Sequence, residues 1–133
     1  MTDSSVCAES DRPVVMLVED EESFVYLLDR YAEKSGCRLV SACRKEEALD
    51  LARREQPAVI LVDITLAETS GQDVLRVLKA DPDTRAIPMV MCSGWDEDLP
   101  FWTGLGAHGC LQKPLRYERF LATLKSVGVQ PRE

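Results

Sequence analysis

Residues 58–63 read Ala-Val-Ile-Leu-Val-Asp. An unbroken apolar run, rich in β-branched residues, ends on a carboxylate. A strand without polar alternation is covered on both faces, as in a parallel sheet with helices on each side. Pro57 punctuates its start. Val14–Val18 is a similar run that ends on Glu19-Asp20. Ile87–Cys92 is another and ends on Ser93, with Pro88 near its start, where a missing N–H is tolerated. Cys37–Ala42 and Cys110-Leu111 are shorter strand candidates, and the last leads through Gln112 into Lys113-Pro114.

Helical patterns fill the gaps. Glu21–Ser35 places Phe24, Leu27, Leu28 and Tyr31 on one face, with Gly36 at the C-cap position. Lys45–Arg54 does the same with Ala48, Leu51 and Ala52. Gln72–Ala80, after Gly71, does so with Val74, Leu75 and Leu78, and Asp81-Pro82-Asp83-Thr84 reads as a turn. Leu115–Val127 carries Tyr117, Phe120, Leu121, Leu124 and Val127. The stretch Gly94–Gly109 has no clean period. Pro100, Gly104 and Gly106 predict a short fourth helix, with Asp98 as a possible N-cap. Strand and helix alternate five times. This predicts an α/β fold with a doubly wound parallel sheet and right-handed crossovers.

The chain has 133 residues, enough for one domain. Residues 1–12 read as a flexible N-terminal tail, 13–128 as the domain and 129–133 as a C-terminal tail. Apolar residues make up 45%, which supports a packed core. Lys plus Arg is 16 and Asp plus Glu is 23, for a net charge of −7. That balance argues against nucleic acid and anionic membranes as partners, since both select cationic surfaces. No apolar run approaches the roughly 20 residues of a membrane span. The N-terminus lacks the basic-then-apolar order of a secretion signal. Cys7, Cys37, Cys43, Cys92 and Cys110 form no C-x-x-C pair, so the expectation is a reducing, cytoplasmic setting.

In a parallel sheet, all strand C-terminal ends lie along one edge, where open α/β sheets bind ligands. Glu19, Asp20, Asp63, Ser93 and Lys113 would meet there. Singly, each has a plain structural use: a cap, a turn or a surface charge. Together, crowded carboxylates must either hold their protons or share a cation. An all-oxygen set with few protein ligands suits Mg²⁺, and Mn²⁺ would fit similarly. A nearby ammonium and hydroxyl can take phosphoryl oxygens, and one carboxylate can act as nucleophile.

These residues resemble the receiver domain of two-component response regulators, of the single-domain chemotaxis type. The likeness spans about Asp11–Val127. It rests on Glu19-Asp20, on Asp63 with Gly71 following, on Ser93, and on Gly106-Ala107 with Lys113-Pro114. It implies a flavodoxin-like (βα)5 fold with strand order 2-1-3-4-5. Asp63 would be the phosphoacceptor, charged by a histidine kinase or a histidine phosphotransfer protein. Metal ligands would be Asp20, Asp63, the Thr65 backbone carbonyl and, mostly through water, Glu19. Ser93 would bind a phosphoryl oxygen, Lys113 would pair with the phosphoryl or with Asp63, and the Lys113-Pro114 bond would be cis. A downstream protein target would read the state through the face of the fourth helix, fifth strand and last helix. Beyond its own phosphorylation and dephosphorylation, such a domain is not an enzyme.

The chain departs from that pattern in several places. Cys110 stands where a switch Tyr or Phe is usual, and Ala67 replaces a loop proline. Ser93 and Lys113 are closer in sequence than in the family, which shortens the fourth helix. Trp95 lies where a side chain can shield the phosphoryl group, and Trp95 and Trp102 could together either anchor a partner or plug the gap left by the shortened helix. His108 reads as an exposed turn residue. Two other readings use the same residues. One is a receiver-like binding module that signals without phosphorylation, which Cys110 and the short helix favour. The other is an Asp-nucleophile phosphatase, which normally has a second Asp where this chain has Thr65.

Overall fold

The computed structural model describes residues 12–66, 69–94 and 99–132. Its strands are β1 (Val14–Val18), β2 (Arg38–Ala42), β3 (Val59–Asp63), β4 (Met89–Ser93) and β5 (Gly109–Gln112). Its helices are α1 (Glu22–Lys34), α2 (Lys45–Glu55), α3 (Gly71–Ala80), α4 (Leu99–Gly104) and α5 (Tyr117–Ser126). The strands form one parallel sheet in the order β2-β1-β3-β4-β5. This is the expected flavodoxin-like winding, with its order reversing beside β1.

Alternation along the central strands sorts side chains into two cores. Met16, Val18, Ile60, Val62, Met89 and Met91 pack with Leu51 of α2, Val74, Leu75 and Leu78 of α3, and Trp102 of α4. Val15, Leu17, Val59, Leu61, Val90 and Cys92 pack with Phe24 and Leu28 of α1 and with Phe120 and Leu124 of α5. Every residue of β3 and β4 is buried, which is why neither strand shows polar alternation. Each fully buried aliphatic side chain contributes roughly 1.5–3 kcal/mol. The sheet between the two layers is therefore the rigid part of the molecule.

Helix ends differ slightly from the periodicity reading. The Ser70 side chain caps α3 by accepting from the Asp73 N–H at 3.1 Å, so the helix starts at Gly71. Leu115 is buried and Arg116 is extended, so α5 starts only at Tyr117. α4 has six residues, as short as its Pro and Gly content predicts. Asp98, Trp95 and Ala67 lie outside the described residues, as do residues 1–11 of the segment read as a tail. In the segment read as a C-terminal tail, Val129 is buried and the Arg132 N–H donates to the Ser35 carbonyl at 2.6 Å.

Candidate functional site

Four strand ends deliver the predicted side chains to one edge of the sheet. Glu19 directly follows β1 and is only 2% exposed, while Asp20 beside it is exposed. Asp63 ends β3, is buried, and pairs in register with Cys92. Ser93 ends β4 and is buried; its carbonyl accepts the Lys113 N–H at 2.7 Å, which ties the exit of β5 to the exit of β4. The Lys113-Pro114 peptide is cis.

Carboxylate oxygens of Glu19, Asp20 and Asp63 all lie within 4.8 Å of one another. The Lys113 ammonium donates to Glu19 Oε1 at 3.0 Å and stands 3.5 Å from Asp63 Oδ2. Backbone donors orient two of the carboxylates. The Glu21 N–H reaches Glu19 Oε2 at 3.2 Å, and the Thr65 N–H reaches Asp63 Oδ1 at 3.3 Å. Thr65 also bridges Ser70 across the loop that follows β3.

Burial pushes the Glu19 carboxyl up to about 7. The Lys113 hydrogen bond works against that rise, and the neighbouring Asp63 adds to it. Desolvation alone would lower the Lys113 ammonium. Its hydrogen bond to Glu19 and the charges of Glu19 and Asp63 outweigh that, and its pKa is raised. Three carboxylates thus crowd one site with the Lys113 ammonium beside two of them. An acidic oxygen set of this kind suits a hard dication. Mg²⁺–oxygen bonds of about 2.1 Å put opposite ligands about 4.2 Å apart. The observed spread therefore fits one small ion after a slight contraction, or with one carboxylate bridged by water.

Two contributors have no signal in the sequence beyond a turn or a core position. A Cβ placed on Gly71 would lie 2.4 Å from the Asp63 carbonyl oxygen and 2.7 Å from Ile64 Cα. Only glycine allows the start of α3 to lie this close to the end of β3, and the Gly71 N–H donates to Ile64 O at 2.9 Å. Phe24 is a core residue of α1, and the Lys113 ammonium also sits 4.4 Å from the centre of its ring. The partner-anchor reading of Trp102 is corrected: its side chain is 4% exposed within the core beneath α4. The exposed apolar residues there are Leu99 and Phe101. Cys110 is half-buried against the same core, and His108 is exposed.

A doubly wound sheet with acidic residues, a hydroxyl and a lysine at its C-terminal edge defines a phosphoacceptor signalling domain. The chain belongs to the response regulator receiver domain family, whose family model matches residues 15–125. It is 38% identical over 116 residues to the polar-differentiation response regulator DivK of Brucella anthropi, covering 84% of this chain and 93% of that protein. Its fold is similar to that of the chemotaxis protein CheY4 of Vibrio cholerae, with a TM-score of 0.80 at 23% identity over 87% of this chain and 98% of that one. It is also similar to the receiver domain of the sensor histidine kinase PA1611 of Pseudomonas aeruginosa, with a TM-score of 0.79 at 20% identity over 88% of this chain and 98% of that one. That protein has a magnesium ion coordinated in its active site cleft. Receiver domains are signalling domains of two-component systems. They bind Mg²⁺ in an acidic pocket and interact with kinases or phosphotransfer proteins and with downstream targets. Among the described residues, no helix is long and apolar enough to cross a membrane.

Proposed function

We propose that Asp63 takes a phosphoryl group from the phosphohistidine of a histidine kinase or phosphotransfer protein. The observation that carries this reading is the convergence of Glu19, Asp20 and Asp63 within 4.8 Å, with the Lys113 ammonium between Glu19 and Asp63. An Asp63 carboxylate oxygen attacks phosphorus. The P–N bond to the donor imidazole breaks, and its electron pair stays on the ring nitrogen. Glu19, Asp20, Asp63 and the Thr65 carbonyl would hold Mg²⁺, or Mn²⁺ in its place. When bound, the ion neutralises charge on the transferring oxygens. Thr65 N–H orients the nucleophile, Lys113 turns from Asp63 to a phosphoryl oxygen, and the Ser93 hydroxyl donates to another. Later attack by water on the acyl phosphate would return Asp63 and free phosphate.

The signalling unit is then residues 13–128, acting in the cytoplasm, where the free Cys37, Cys43, Cys92 and Cys110 would stay reduced. A downstream protein would read the state at the surface formed by α4, β5 and α5. Incubation with acetyl phosphate or phosphoramidate and Mg²⁺, read by mass spectrometry, tests the reading. Phosphate must appear on Asp63 and be absent from Asp63→Asn.

A second reading is a module that signals by binding without phosphorylation. It is favoured by Cys110 at the position of the switch aromatic and by the six-residue α4. Partner binding by a folded protein that takes no phosphoryl group on Asp63 from acetyl phosphate or phosphoramidate with Mg²⁺ would support it, and phosphorylation of Asp63 would count against it.

A further inference from the structure

Lys113 has three N–H donors and, among the described residues, two carboxylates within 4 Å. One donor goes to Glu19 at 3.0 Å, and Asp63 stands at 3.5 Å. A third neighbour is not a hydrogen-bond acceptor. The Phe24 ring, 7% exposed in the first turns of α1, has the ammonium 4.4 Å from its centre. That is well inside the range in which an aromatic face attracts a cation, and the attraction grows when water is excluded. The lysine side chain is 21% exposed. Phe24 belongs to the same buried cluster as Leu28, Cys92, Leu111 and Leu115.

We propose that Phe24 is a positioning residue for phosphoryl transfer: its π face holds the Lys113 ammonium over the site without consuming an N–H donor. This rests on the reading of Asp63 as phosphoacceptor. A hydrogen-bonding side chain in this place would compete with the incoming phosphoryl oxygen for the ammonium. A ring quadrupole attracts the charge whichever way the N–H bonds point. Lys113 can therefore exchange its Asp63 contact for a phosphoryl oxygen while remaining seated on the ring. Without the ring, the buried Glu19 carboxylate, already the nearer partner, competes for the ammonium with only Asp63 opposing it.

The test uses the whole chain with Phe24→Leu and Phe24→Met, which keep an apolar filler, and with a ring-fluorinated phenylalanine at position 24, which keeps the shape and weakens the quadrupole. The first readout is the NMR shift of the Lys113 Hε protons, displaced upfield by the ring in the unmodified protein and normal in Phe24→Leu. The second is phosphorylation of Asp63 by phosphoramidate with Mg²⁺, split into the saturating rate and the half-saturating donor concentration. The expected result is a saturating rate lowered about three- to tenfold in Phe24→Leu, Phe24→Met and the fluorinated protein, the span of a partly desolvated cation–π contact. Unfolding midpoints should stay close to the parent in the fluorinated protein. Rates equal to the parent, or unshifted Lys113 protons in the parent, overturn the inference while leaving the phosphoacceptor reading intact. A parent that takes no phosphoryl group at all overturns both.

Discussion

Gly71 lies so close to Asp63 that a side-chain carbon on the glycine would sit 2.4 Å from the aspartate's carbonyl oxygen. The start of α3 and the end of β3 are therefore locked together. The Thr65–Ser70 bridge and the Ser70 cap complete that lock. Gly71→Ala should force backbone apart from backbone, at the upper end of the about 1–3 kcal/mol that overpacking costs. It should also slow phosphorylation of Asp63. Urea unfolding and phosphoramidate labelling check the two effects, and an alanine variant with parental stability would contradict the lock.

Glu19 gives the metal-free protein one pH-dependent contribution to stability. Its carboxyl holds a proton up to about 7 when folded, against 4.5 as the ordinary value. Between those values the folded state binds more protons than the unfolded state, so stability falls as pH rises through the window. Glu19→Gln should flatten that slope. Mg²⁺ needs the ionised carboxylate, so its affinity should rise over the same window in the parent, and more weakly in Glu19→Gln. Denaturation with and without Mg²⁺ across the range reads both.

Asp81, the C-cap of α3, gives the opposite slope. The Arg53 guanidinium, then the Asp83 N–H at 2.8 Å, hold its carboxyl below the usual range. The unfolded state takes up its proton first as pH drops. Stability from this contact is present above the ordinary carboxylate value and is lost as pH falls through the lower folded one. Asp81→Asn should be less stable at neutral pH and less sensitive to acid, as measured by unfolding midpoints at several pH values.

Trp102 belongs to the core. Trp102→Ala should cost about 3–5 kcal/mol, as for other large aromatic deletions. Any loss of partner binding should track the loss of folded protein. An unaltered unfolding curve would return this residue to the surface.

Most of the architecture was legible because two-sided burial leaves an unmistakable trace. Val14–Val18 and Ala58–Val62 have no polar alternation, and a strand of that kind has few places to go. The strand-end residues followed from topology, since parallel strands bring Glu19, Asp63, Ser93 and Lys113 to one edge. Contacts set by side-chain direction were not legible. Lys113 lies nearer Glu19 than Asp63 because the more deeply buried carboxylate has the greater need of a counter-charge. Phe24 reads as an ordinary apolar helix position, and nothing in its spacing distinguishes a ring beneath an ammonium from one beneath a leucine. Trp102 was ambiguous because a helix of six residues has too few turns to establish a buried face.

Magnesium-dependent labelling of Asp63 by a small phosphodonor tests the central claim most directly. The account predicts one phosphoryl group on Asp63 in the presence of Mg²⁺, little with the metal chelated, and none in Asp63→Asn. An intact, folded protein that stays unmodified under saturating donor and Mg²⁺, or that is labelled equally well in Asp63→Asn, would contradict it.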